Sequence, residues 1–557
     1  MLTGNPQSAL ERVATETWFE CLRHVGMEEY RSMLQTCQYF RQMCLPLVFK
    51  EATCSLSFDR YHVDPEVQYA LLDNFIALAK SDVHAPLVRK LTVYYEHRFP
   101  GSHSRKSVVT QIKLLYYPRF VNLFVELLPH FSNLRVVDIT YSMNMDKMIL
   151  AALAAVPNLD ELGMRLVRFS AHRIKKRVRV QIRKLGIFND GSDCNPNRAA
   201  KMLDVFSGER LEDLTVLSRA YSPKIMRALT AQNNCTILKS ISILLHQEDN
   251  SALIPFLVSC PNLESIDLSL GDSPGSAALL STALVSRLPI SALKNLHSFS
   301  GPDEVAMVLV PKRPVKKVTT VHGSTFYYIG VTPREYHAYK TMLARLSEST
   351  GPVTDLVIQT GPLETGLLDL IVRYIPYLSS LRLDVGRKQV LDDDPFNYSL
   401  DIMLTDQDEC GGTSTETGSD IFSDHSSRYL LPLVRHNKYM RIMHWIALHK
   451  IVLPRNLAVL NLYDDHFSWP WENFNMTCFY DGIVVEPSEK EAFLNNEEKH
   501  GRAHTFLMAR SIFATISQSY PSLREVNLLG NLYRTEFFWY KNPAGTWDLC
   551  DFKPQSP

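Results

Sequence analysis

Along most of this chain one pattern keeps returning: a short L-x-x-L-x-L stretch, preceded by an apolar segment of helical spacing and usually by a proline. The clearest copies are Leu134-Arg-Val-Val137-Asp-Ile139, Leu159-Asp-Glu-Leu162-Gly-Met164 and Leu263-Glu-Ser-Ile266-Asp-Leu268. Later copies are Leu378-Ser-Ser-Leu381-Arg-Leu383, Leu457-Ala-Val-Leu460-Asn-Leu462 and Leu523-Arg-Glu-Val526-Asn-Leu528. Weaker ones begin at Val88, Ile182, Leu211, Leu238 and Val353. The L-x-L portion alternates with period two, which puts its apolar residues on one face of a strand. The segments ahead of it are helical. Met148, Ile149, Ala152, Leu153 and Val156 form one such face, and Phe506, Leu507, Ile512, Phe513 and Ile516 form another before Tyr520-Pro521. Ser222-Pro223 and Thr332-Pro333 read as a capping residue followed by a first-turn proline.

A unit of helix, tight connection and short strand cannot bury its own apolar faces, whereas stacked units share one core. Starts at 134, 159, 182, 211, 238 and 263 lie 23 to 29 residues apart, inside the range of ~20–29 that marks leucine-rich repeats. The predicted fold is therefore α/β, an irregular leucine-rich-repeat solenoid with parallel strands and helices on the convex side. The asparagine that follows L-x-L-x-x in such repeats is present only at Asn531. The gaps from 263 to 353 and from 383 to 457 are too long for single units and predict one or two degenerate repeats plus insertions. An ordinary α/β domain also alternates helix and strand, but the recurring P-x-L-x-x-L-x-L wording favours the solenoid.

The charges cancel, 59 basic against 59 acidic residues, so nothing global points to nucleic acid or to an anionic membrane as a partner. Met1–Leu10 lacks the basic and apolar regions of a secretory signal, and no run approaches the ~18–20 apolar residues that span a bilayer. The cysteines are scattered and form no CxxC pair, and Cys21, Cys37, Cys44 and Cys260 sit in apolar patterns. That usage predicts a reducing compartment, cytoplasmic or nuclear. The basic stretch Pro311–Lys317 has the composition of a nuclear-localisation signal.

The first fifty residues differ in character. Glu16–Val25, Glu28–Cys37 and Phe40–Phe49 each carry apolar residues at helical spacing, with Thr15 placed to cap the first and Pro46 interrupting the last turn of the third. Three short amphipathic helices make a core too small to stand comfortably alone. Val13-Ala14-Thr15-Glu16-Thr17-Trp18-Phe19-Glu20-Cys21-Leu22 resembles the opening of an F-box, L-P-x-E-x-W-x-x-I-L. Met33–Arg41 is similar to the middle of that motif, and Cys44-Leu45-Pro46-Leu47-Val48-Phe49-Lys50 to the A-x-P-L-L-F-R ending common in fungal F-box proteins. Val13-Ala14 stands where the family has Leu-Pro, and Cys21 where it has isoleucine. The resemblance implies docking on a small Skp-type adaptor and, through it, on a cullin–RING ubiquitin ligase, with the downstream repeats selecting a protein substrate. Carried over by position, the docking residues are Val13, Ala14, Glu16, Trp18, Leu22, Leu34, Cys37, Phe40 and Leu45.

In a solenoid the residues between the core leucines line the concave face. Here they include Asp138, Arg165, Lys184, Asp267, Arg382, Asp384, Tyr463 and Asn527, a mixture that suits a protein ligand. Arg165 to Lys184 is basic throughout; Leu391–Ser427 is acidic, rich in Ser and Thr, and reads as a disordered insertion. The aromatic run Phe467 to Tyr480 reads as packing over an open end of the core. The predicted organisation is a flexible start (1–9), the helical module (10–52), a first solenoid part (53–390), the acidic insertion (391–427), a last solenoid part (428–545) and a tail (546–557). No phosphate loop, nucleophile elbow, HExxH or paired metal-cysteine motif is present, and His500 and His504, at i and i+4, lack an intervening glutamate. The chain thus reads as a non-catalytic binding protein without metal or cofactor. A scaffold outside ubiquitination is the competing class, and an enzyme the third.

Overall fold

A computed structural model of the chain describes residues 13–57, 65–96, 118–140, 144–169, 178–188, 203–233, 235–246, 250–270, 276–321, 336–360, 365–385, 443, 446–449, 451–464, 512–530 and 535–550. The acidic insertion, the aromatic run 467–480, the pair His500 and His504, Asn531 and residues 170–177 of the basic stretch lie outside these. The chain divides into two compact units, Met1–Leu263 and Glu264–Pro557.

The first unit opens with three helices, α1 (Thr15–Leu22), α2 (Met27–Met33) and α3 (Gln38–Val48). Leu22, Met43 and Cys44 form their core, with Trp18, Tyr30, Met33, Leu34, Tyr39 and Leu47 packed against it. The Tyr30 hydroxyl donates to the Leu22 carbonyl and ties α2 to the end of α1. Ala14, not Thr15, occupies the N-cap of α1, and it contributes no side-chain cap. Its backbone carbonyl instead accepts from the N–H groups of Thr17 and Trp18, at 3.0 and 3.3 Å. Pro46 does not interrupt α3, which runs on to Val48.

Two residues after α3 the repeat ladder begins. Its strands are β1 (Glu51–Ser57), β2 (Lys90–Glu96), β3 (Val136–Thr140), β5 (Glu161–Arg165), β7 (Lys184–Phe188), β8 (Asp213–Leu217) and β9 (Ser240–Leu245). Each pairs in parallel with the next. A small second sheet joins β4 (Asn144–Met145) to β6 (Arg168–Phe169). β1 escapes the repeat pattern because its inward residues, Ala52 and Cys54, are small instead of leucine-type. Elsewhere the predicted face is the buried one: Leu134, Val137, Ile139, Met164 and Ile187 are fully buried, each worth roughly 2 kcal/mol relative to exposure. Between β3 and β5 the helix Lys147–Ala155 is capped by Asp146, whose Oδ1 accepts from the N–H groups of Met148 and Ile149 at 2.8 and 3.0 Å. In the helix Ser222–Gln232 the serine is no cap: its hydroxyl donates inward to the carbonyls of Val216 and Ser218.

A second device locks successive repeats. The asparagine before the first leucine of a repeat reaches back to a carbonyl of the repeat before. Asn133 donates to Pro86 (2.8 Å), Asn158 to Ser132 (3.0 Å) and Asn262 to Thr236 (2.7 Å).

The second unit continues the same construction. Its strands are β10 (Ser265–Leu270), β11 (Ser298–Pro302), β12 (Lys317–Val321), β13 (Asp355–Thr360), β14 (Ser380–Val385), β15 (Val459–Asp464) and β16 (Glu525–Gly530), each parallel to the next. The gap after 263 thus holds two degenerate repeats, β11 and β12, whose core residues are Phe299 and Val318. After 383 no strand enters the ladder between β14 and β15: Leu381 lies directly beside Leu460. An antiparallel hairpin, β17 (Thr535–Lys541) and β18 (Trp547–Cys550), then closes the unit. Trp539 and Trp547 lie 5.0 and 4.9 Å from the Phe513 ring, and the Trp547 indole N–H donates to the Ser517 hydroxyl at 2.6 Å. The predicted boundary at 545 therefore cuts through this cap; residues to Cys550 belong to the sheet.

The basic stretch Pro311–Lys317 is a folded connection, not a displayed peptide. Arg313 is only 5 % exposed. Its Nε donates to the Ala292 carbonyl (3.1 Å), and its Nη1 to the carbonyls of Val308 (3.2 Å) and Leu309 (3.0 Å) at the end of the helix Asp303–Leu309. Burial lowers the pKa of this guanidinium from its usual value.

Candidate protein-binding surfaces

Three surfaces gather the predicted site residues, and the first is the helical module. Val13, Ala14 and Glu16 are exposed; Trp18, Leu34, Cys37, Phe40 and Leu45 are half-buried. Leu22 is 1 % exposed and belongs to the module's own core, so it offers no surface to a partner. Trp18 meets Phe40 edge-to-face at 5.2 Å, joining α1 to α3. Two exposed apolar residues absent from the predicted set, Phe19 (38 %) and Met27 (46 %), stand with Val13 (37 %) as apolar surface.

The second surface is the outward face of the first unit's strands. Registration sets Glu161, Lys184 and Asp213 side by side, then Asp138, Gly163, Gly186 and Thr215, then Thr140, Arg165, Phe188 and Leu217. Lys184 pairs with Glu161 at 2.7 Å, and that carboxylate raises the lysine pKa. Lys90 pairs with Asp138 at 3.8 Å. Burial raises the pKa of Asp213, against the pull of Lys184. Both glycines are sites of close approach. A Cβ on Gly163 would come within 2.2 Å of the Asp138 Oδ1, and one on Gly186 within 2.7 Å of the Phe188 ring. The Arg165 guanidinium lies over that ring, 5.0 Å from its centre.

The third surface is the outward face of β14, β15 and β16. Arg382 donates through Nε to Asp384 at 2.7 Å and lies over the Tyr463 ring at 4.8 Å. Beside it the Asn527 side-chain amide donates through Nδ2 to the Asn461 side-chain Oδ1 at 2.7 Å. Four predicted residues therefore meet here. Asn527, however, is 8 % exposed and committed to Asn461, so its role is to hold β15 to β16. Asp267, on β10, stands apart from them, with β11, β12 and β13 between.

Phe188, the two glycines and Asn461 were not anticipated. Their signal is register: Gly163 and Gly186 occupy the same place in successive copies, Leu162-Gly-Met164 and Leu185-Gly-Ile187. These surfaces offer paired charges, amides and stacked rings, the chemistry of recognition. Among the described residues no group of His, Cys, Asp and Glu is arranged to hold a metal ion, and no helix is long and apolar enough to cross a membrane.

No family model matches the chain, and no curated protein matches it. Among solved structures it is similar to a protein of Bacteroides fragilis, at 17% identity and a TM-score of 0.32, over 50% of this chain and 76% of that one. It is also similar to the Rad7–Elc1 complex of yeast, at 13% identity and a TM-score of 0.28, over 68% of this chain and 89% of that one. Likenesses this distant carry no argument about what the chain does.

Proposed function

We propose that this chain is the substrate-recognition subunit of a Skp–cullin–F-box ubiquitin ligase, acting in the cytoplasm or nucleus and not itself catalytic. The observation that carries the reading is the N-terminal module. Its residues follow the F-box order over 13–50, and its three helices leave Val13, Phe19 and Met27 exposed immediately ahead of a repeat ladder. Apolar surface on so small a module is best covered by a partner. The Skp-type adaptor takes this side, and the outward strand faces take the protein substrate.

The test is co-purification of the full chain with a Skp-type adaptor. Wild-type chain should retain the adaptor, and the double variant Val13→Asp, Ala14→Glu should lose it while unfolding at the same temperature. These two positions are exposed, unlike Trp18, whose removal would also loosen the module through Phe40. Failure of the wild-type chain to bind would sink the ligase reading and leave the non-catalytic repeat scaffold in its place.

A further inference from the structure

On the outward face of the first unit's long parallel sheet the described strands carry three cations, and two are neutralised: Lys90 by Asp138 and Lys184 by Glu161. The third, Arg165, is exposed and has no carboxylate partner among the described residues. It is nevertheless held in place. Its guanidinium rests on the Phe188 ring, directly opposite in register, and that ring lies back over Gly186, where any side chain would collide with it. The next residue, Leu166, has φ 53°, a left-handed conformation unusual for a bulky side chain. Its N–H donates to the Phe188 carbonyl at 2.7 Å. Strained backbone of this kind persists where the surroundings over-determine it, and such places cluster at ligand clamps.

The second unit shows what a guanidinium so placed accepts. Arg382 lies over Tyr463 much as Arg165 lies over Phe188, at 4.8 against 5.0 Å, and its Nε holds the carboxylate of Asp384 at 2.7 Å. At Arg165 the corresponding acid is missing from the described residues. We propose that the Arg165–Phe188 platform binds a side-chain carboxylate on an extended segment of a partner protein, with an apolar neighbour of that acid resting on the row Thr140, Phe188 and Leu217. Among the described residues of this sheet face Arg165 is the one cation without an acid, and one such positive charge matches a carboxylate. A phosphate, near dianionic at neutral pH, would bring a second negative charge that this one guanidinium does not match. This inference rests on the strand face being a protein-binding surface, and it does not depend on ubiquitination.

The full chain is panned against a phage-displayed random dodecapeptide library, and the recovered peptides are measured by fluorescence anisotropy. The expected peptides share an Asp or Glu beside an aliphatic or aromatic residue. Arg165→Ala, which removes an exposed side chain and should leave thermal unfolding unchanged, weakens them about tenfold or more. Changing the peptide's Glu to Gln costs a similar factor on the wild-type chain and nothing on Arg165→Ala, the coupling expected of a direct pair. Peptides without an acid, no enrichment over an Arg165→Glu counter-selection, or equal affinity for Arg165→Ala would each overturn the proposal. Tighter binding when phosphoserine replaces the Glu would overturn its commitment to a carboxylate. The adaptor pull-down reads the helical module alone, so the two readings fail separately.

Discussion

Arg313 shows how far one side chain's role depends on where the chain folds. In the sequence it lies among lysines and prolines; in the fold it is buried and bonded to the carbonyls of Ala292, Val308 and Leu309. A planar guanidinium can reach these acceptors at once because its donors diverge in a fixed fork, which an ammonium cannot reproduce. Arg313→Ala should destabilise the chain by about 2–3 kcal/mol, since it leaves buried carbonyls unpaired and opens a cavity. Arg313→Lys should recover only part of that loss. Urea unfolding checks both, and an Arg313→Ala variant as stable as wild type would show that water satisfies those carbonyls instead. Arg165 and Arg382 make the complementary point. The same residue type, on the same kind of aromatic support, is neutralised in one place by Asp384 and, among the described residues, has no acid in the other.

At the scale of elements, the repeat is held by more than leucines. The strands register through apolar alternation, and the connections register through asparagine. Asn133, Asn158 and Asn262 each bond a carbonyl of the preceding repeat. Such a bond to an otherwise unpaired carbonyl contributes on the order of 1 kcal/mol. Asn158→Ala should therefore cost about that much, and Asn158→Asp no less, because a carboxylate cannot donate to the Ser132 carbonyl. Chemical denaturation distinguishes this from a mere turn preference, under which Asp would be tolerated. An asparagine stands before the first leucine of a repeat at 133, 158, 262, 295 and 456, so the signal was in the sequence. Its physical meaning appears only when two repeats are stacked.

Across the whole molecule, burial separates thiols that the sequence lists alike. Cys21 is exposed and Cys37 half-buried, whereas Cys44, Cys54, Cys235 and Cys260 are buried. Burial pushes the Cys54 thiol up to about 12, so at neutral pH it holds almost no reactive thiolate. Of these six thiols, brief iodoacetamide treatment followed by peptide mass spectrometry should modify Cys21 first and Cys37 next. The four buried cysteines should react only when denaturant opens the repeats. Early modification of Cys54 would mean that β1 detaches from β2 in the native chain, contrary to their pairing along all seven residues of β1.

What the sequence determined by itself was the repeat. Apolar period two followed by helical spacing is a local property, and it placed the core faces of nearly every strand from β2 to β16. It failed where the inward residues were small, as at Ala52 and Cys54 of β1, or where a copy had drifted, as in β11 and β12. It failed also where the strands turned antiparallel, as in the hairpin that carries Trp539 and Trp547. The site residues were legible as positions on a face but not as partners. Which cation would be neutralised, which asparagine buried, and which ring would lie over a glycine are set by register between strands tens of residues apart in the chain. Only the tertiary structure decides such pairings, because their energies depend on distances that no single strand contains.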